Sequence, residues 1–384
     1  MYNPEDFPPG EIQSEKTEQE IVEIREKNAC KMIEDFLLLK PKEKVLFLTD
    51  ANPQNTDREL IETIKKQLSS KDVEFFELLA DDRTTQEDIL SNAKKCDLIW
   101  NSWSMEDTAE DVDFDKLTEF LEKTRKRMAW CPGVKAESLN EGGALTEEKT
   151  MMEFRLNKMA ERLKDAVGFR ITTEYGTDLK IKLYKGKRRW VKDSGVIEKG
   201  KWDNLPGGEI FTTPDEEKVD GVLVLPALQD EVSLDQGVDK FVRLTIKGGK
   251  IRKIDGGISA EKLRKYLEEN SKKESDPESV IQCSEISFGA NSKARTVPSN
   301  PTGGWKEIGR PTTETEKRLG TMHIAFGSSK HGEEGVEGHT KSDVHLDFVL
   351  PRHSLTVEKF TTEKDYEKQK NGEKLMNHGS WNFI

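Results

Sequence analysis

Every histidine of this 384-residue chain lies at or beyond position 323: His323, His331, His339, His345, His353 and His378. Imidazole both ligates metal ions and titrates near neutrality, so its concentration in one segment points to a metal or proton-transfer site there. The four cysteines, Cys30, Cys96, Cys131 and Cys283, are scattered with no CxxC spacing. That pattern fits reduced thiols and leaves histidine and carboxylate as the available metal ligands.

Spacing sharpens the histidine signal. In Val344-His345-Leu346-Asp347-Phe348-Val349-Leu350, strand alternation puts His345 and Asp347 on one face and Val344, Leu346, Phe348 and Leu350 on the other. In Met322-His323-Ile324-Ala325-Phe326 the apolar face is Met322, Ile324 and Phe326, with His323 pointing the opposite way and the small Ala325 leaving room beside it. Two packed strands thus act as rigid platforms for polar ligands. The Gly- and charge-rich segment from Gly327 to Asp343 reads as a loop bordering the site.

The elements that must carry these strands divide the chain in two. Apolar residues at helical spacing between Glu15 and Leu39 are followed by KVLFL (Lys44 to Leu48), a short buried strand. The alternation repeats: a helix near Asp57 to Leu68, a strand from Val73 to Leu78, and a helix opened by Thr84 with Glu87 three residues on. A strand at Asp97 to Trp100, a helix at Phe114 to Thr124 and a strand at Arg127 to Cys131 follow. This pitch predicts an α/β fold with an N-terminal open, mostly parallel sheet over residues 1–145. After a long helix at about Thr146 to Ala166 the texture turns to strands, including a hairpin around Gly248-Gly249, and predicts a larger β-rich α+β catalytic domain over residues 146–384. No phosphate-cradling glycine loop follows the early strands, since the first ends in Thr49-Asp50-Ala51-Asn52-Pro53.

A net charge of −12 argues against nucleic acid or an anionic membrane as partner. The acidic start and the lack of any stretch of about 18 apolar residues predict a soluble, cytoplasmic protein.

Four blocks resemble the aminopeptidase T-like metallopeptidases: Asn204 to Pro214 (NLPGGEIFTTP), Glu285, Gly320 to Gly327 (GTMHIAFG), and Ser342 to Asp347 (SDVHLD). The resemblance covers roughly residues 200–350 and implies a homodimeric metallo-aminopeptidase acting on a peptide substrate. It further implies a paired-metal centre, of zinc, cobalt or manganese, held by Glu209, Glu285, His323, His345 and Asp347. Some members place a tyrosine seven residues after the first histidine; here that position is Lys330.

On that expectation, three carboxylates and two divalent ions leave about one excess positive charge, and the bound hydroxide attacks the scissile carbonyl. Glu209 or Glu285 would relay its proton to the leaving amine. Two alternatives stand beside it. The dihydroxypyridine dioxygenases are similar in their C-terminal domain and use two histidines and one aspartate for a single iron, a set that His323, His345 and Asp347 would also supply. A non-catalytic relative with a degraded site is the other.

Overall fold

Thr17 opens the first helix with a reciprocal capping box to Glu20, and α1 (Glu18–Met32) buries Ala29 and Met32 before ending in a wide turn at Ile33–Leu37. This is a computed structural model, and it describes residues 16–51, 55–103, 112–184, 186–225, 241–294, 312–332, 334–350 and 352–384; the side chain of His353 lies outside the description.

Three βα steps and a fourth strand follow α1: β1 (Lys44–Asp50), α2 (Arg58–Ser70), β2 (Glu74–Ala80), α3 (Gln86–Ala93), β3 (Leu98–Asn101), α4 (Phe114–Thr124) and β4 (Arg127–Trp130). The strands pair in parallel in the order β2-β1-β3-β4. Alternation along each strand feeds two cores. Val45, Phe47 and Trp100 pack with α1 and α2 on one face, and Leu46, Leu48, Ile99 and Met128 pack with α3 and α4 on the other. The cap of α3 lies one residue beyond the sequence expectation: Thr85 and Asp88 form the capping box, because the Thr84 hydroxyl accepts from the Asp81 N–H instead.

The second half opens with α5 (Lys149–Leu163) and then β5 (Gly168–Thr172), β6 (Asp178–Lys182), β7 (Val191–Asp193), β8 (Trp202–Asn204) and β9 (Glu209–Thr212). It continues through β10 (Val219–Leu225), β11 (Val242–Lys247), β12 (Lys250–Asp255), α6 (Ile258–Ser271), β13 (Cys283–Gly289), a short helix α7 (Thr312–Thr315), β14 (Met322–Gly327) and β15 (His345–Leu350). β16 (Thr356–Phe360), α8 (Glu363–Lys368), β17 (Glu373–Asn377) and β18 (Ser380–Trp381) complete it. β17 and β18 pair in antiparallel fashion and take up the C-terminal stretch from Leu375 to Trp381. The fold is α/β, with the parallel sheet preceding larger antiparallel ones.

One antiparallel sheet runs β12-β11-β10-β6-β5-β16-β17-β18 and the other β15-β14-β13-β9-β7. Their apolar faces share one core with α5 and α6, in which Phe169 of the first sheet meets Phe288 of the second edge to face at 5.8 Å. The outer face of the five-stranded sheet is left for polar side chains. β8 departs from its neighbours in sequence: it pairs in parallel with β4 and becomes the fifth strand of the first sheet, bringing Ile197 and Leu205 into that core. Among the described residues no helix is long and apolar enough to cross a membrane.

Candidate metal centre

Register explains how one face of the five-stranded sheet collects acids and imidazoles. Ala325 of β14 lies between Glu285 of β13 and Asp347 of β15, so a methyl group separates two carboxylates. His323, two residues earlier, is flanked by Ser287, and Glu209 of β9 pairs with Gly289. Small side chains thus make room for large polar ones. The alternate residues Ile286, Phe288, Met322, Ile324, Phe326, Leu346 and Phe348 are buried in the shared core, which fixes the direction of the polar set.

Glu285 owes its direction to a register shift between Cys283 and Glu285. By simple parity Cys283 would share the face of Glu285 and Ser287, yet Cys283 is in the apolar core. A β-bulge re-aims side chains in this way, and such bulges recur beside functional sites.

The structure brings all five expected residues together. His323 Nε2 is 2.9 Å from Glu285 Oε1, 3.5 Å from Glu209 Oε2 and 3.5 Å from Asp347 Oδ1. His345 Nε2 is 3.5 Å from Asp347 Oδ1 and 3.9 Å from Glu285 Oε2. Three overlapping groups have ligand atoms within 4.8 Å of one another: Glu209, Glu285 and His323; Glu285, His345 and Asp347; Glu316, His323 and Asp347. Glu209, Glu285 and His323 are buried, whereas the His345 side chain is 31% exposed. Access from solvent is therefore on the β15 side.

The cluster also contains residues that no strand pattern or motif singles out, His331 among them only as one of the crowded histidines. Glu316 and Lys317 sit in the irregular stretch before β14 and are buried. Lys317 Nζ donates to Glu209 Oε1 and lies 3.0 Å from Glu316 Oε1 and 3.4 Å from Asp193 Oδ2. His331, in the loop after β14, places Nδ1 3.2 Å from Glu285 Oε2 and Nε2 2.9 Å from the Thr213 hydroxyl, with its ring 5.2 Å from that of Phe211. No spacing rule relates it to the strand residues. Lys330 is not part of the cluster: it is exposed and its Nζ donates to the Gly338 carbonyl at 2.5 Å. His339 instead contacts the wholly buried Glu216 at 2.8 Å.

Electrostatics follow from the surplus of carboxylates. Burial opposes charge on His323, but Asp347, Glu285, Glu209 and Glu316 outweigh it and push the imidazole up to about 10. His345 is likewise raised well above its ordinary value against burial, chiefly by Asp347. Glu285 is lowered despite burial by His323, His331 and His345, while burial pushes Glu316 up to about 7. A site that draws positive charge so strongly onto imidazole will draw a divalent cation by the same field.

The donors fit a metal ion. His345 Nδ1 is 2.9 Å from the Ser328 carbonyl and donates there, so an ion replacing the proton on Nε2 would meet that nitrogen beside Asp347. Asp347 Oδ1 is buried without a hydrogen-bond partner, as is His323 Nδ1. Imidazole nitrogen with carboxylate oxygen is a donor set suited to zinc, iron or manganese.

Fold and cluster together define the class: an α/β chain in which one antiparallel sheet holds a histidine and carboxylate group able to bind a metal ion. The chain belongs to the NicX family, 2,5-dihydroxypyridine 5,6-dioxygenase, whose family model matches residues 141–361. A 2,5-dihydroxypyridine 5,6-dioxygenase of Pseudomonas putida is 33% identical over 193 residues, a match spanning 49% of this chain and 50% of that protein. The chain thus aligns with about half the length of this relative. The solved structure of a Pseudomonas putida 2,5-dihydroxypyridine dioxygenase superposes with a TM-score of 0.63 at 18% identity, covering 95% of this chain and 98% of the other. Wild-type AmpT from Thermus thermophilus superposes with a TM-score of 0.62 at 15% identity, covering 94% and 99%.

These comparisons correct the expectation of a hydrolytic aminopeptidase. The likeness to AmpT is one of fold, and a shared fold with matching strand blocks hosts more than one chemistry. Family membership lies with the ring-cleaving dioxygenases, so the protease and hydrolase assignment is withdrawn, and the peptide substrate loses the reading on which it rested.

Proposed function

We propose that the chain is a metal-dependent dioxygenase that opens a dihydroxylated nitrogen heteroaromatic ring of the 2,5-dihydroxypyridine type. The observation that carries this reading is Asp347 Oδ1, buried, free of hydrogen bonds and 3.5 Å from both His323 Nε2 and His345 Nε2. These three residues are proposed to hold a single iron, in the two-histidine, one-carboxylate pattern that leaves coordination positions open. When bound, that ion supplies the redox chemistry by which dioxygen reacts with the ring.

The protein's own groups handle protons and orientation. Glu285, held ionised between His323 and His331, accepts a proton from a ring hydroxyl, and His331 steadies the carboxylate through its contact at 3.2 Å. Phe211, beside His331, offers an aromatic face for a planar substrate entering from the β15 side. Glu209 is proposed to support the site from its buried end.

The test is oxygen uptake. Protein loaded anaerobically with ferrous iron and given 2,5-dihydroxypyridine is expected to consume oxygen as ring absorbance is lost. An iron-loaded, folded protein that leaves both unchanged refutes the substrate class.

A further inference from the structure

Lys317 is fully buried, a position that an ammonium tolerates only when carboxylates surround it. Asn291 N–H donates to the Lys317 carbonyl at 2.8 Å and fixes the backbone. The side chain ends among Glu209, Glu316 and Asp193. Both oxygens of Glu209 are engaged as a result. Oε1 accepts from Lys317, and Oε2 accepts from the Ser287 hydroxyl at 2.5 Å.

Glu209 belongs by distance to the metal-capable group with Glu285 and His323. An ion that took Glu209 as a ligand would have to displace these donors and sit close to a fixed positive charge in a low-dielectric interior, where like charges repel strongly. Around His345, no lysine or arginine stands within ion-pair distance of Asp347 or Glu285 among the described residues; Lys317 reaches only Glu316 of the group that contains Asp347. The two ends of one cluster are thus prepared differently.

We propose that the Lys317 ammonium is a built-in cation that takes the place of a second divalent ion beside Glu209, keeps Glu209 out of metal coordination, and limits the centre to one ion on the His345 and Asp347 side. Lys317 is a positioning residue, acting through Glu209. The inference rests on the metal-holding reading above and adds to it what sets the ion count.

The test is metal stoichiometry of the full chain, read by elemental analysis after equilibration with manganese and again with ferrous iron under anaerobic conditions. Wild type is expected to bind one ion per chain. Lys317→Met is expected to bind two, with an added metal-dependent rise in its unfolding midpoint, and Glu209→Gln is expected to stay at one. Two ions in wild type, or a folded Lys317→Met that still takes one, overturns the proposal. If Lys317→Met does not fold with or without metal, Glu209→Gln decides: retention of one ion with unchanged affinity supports the proposal, and a tenfold or greater loss of affinity overturns it. A wild type that binds no metal fails the function proposed above, which keeps that failure distinct from this one.

Discussion

Asp347 and Leu346 are adjacent in sequence and opposite in role. Asp347→Ala removes the carboxylate shared by His323 and His345, so bound metal and turnover are expected to be lost while the apolar face of β15 stays packed. Leu346→Ala is expected to cost about 2–5 kcal/mol through a core cavity and to keep the metal. Metal analysis beside thermal unfolding, with metal held saturating, separates the two effects. His331→Ala should retain metal but lose about 10–100-fold in activity, because it orients Glu285 without itself belonging to the three-residue set. At this scale the sequence was legible where strand alternation applies, at His323, His345 and Asp347. Glu316 and Lys317 were marked by nothing, and His331 only by the crowding of histidines, because all three lie in irregular segments where no period relates one side chain to the next.

The site depends on how strands and loops hold register. Ala325→Leu would fill the gap between Glu285 and Asp347, and is expected to abolish metal binding at a stability cost of about 1–3 kcal/mol from overpacking, measured by metal content and urea unfolding. The loop after β14 is organised by buried Glu216, which accepts from Ser329, Thr340, the His339 N–H and Arg188. Burial opposes its charge, yet these donors hold its carboxyl below the ordinary value of 4.5. Its contribution is therefore complete above that value and disappears as pH falls through the lowered native value. Glu216→Gln should flatten this acid limb and cost about 3 kcal/mol at neutral pH by leaving Arg188 uncompensated, as read from urea unfolding at several pH values. Elements such as β1 and α4 were readable from periodicity. The bulge that turns Glu285 toward the site was not, because parity alone assigns Cys283 and Glu285 to one face.

At the scale of the molecule, the homodimer implied by family resemblance is a proposal: light scattering should give a mass near twice the 43.8 kDa chain. The α/β order of the first sheet was legible in its helix and strand pitch. The return of β8 was not, since three residues, Trp202–Asn204, carry no alternation to read. That return has a practical consequence for dissecting the protein. A fragment ending at residue 145 would bare the hydrogen-bonding edge of β4, which β8 otherwise covers, and would strip Trp202 from its edge-on contacts with Phe114 and Trp130. An uncovered edge recruits other strands. Such a fragment should therefore aggregate on size-exclusion chromatography, whereas the intact chain conceals that adhesive edge beneath its own later sequence.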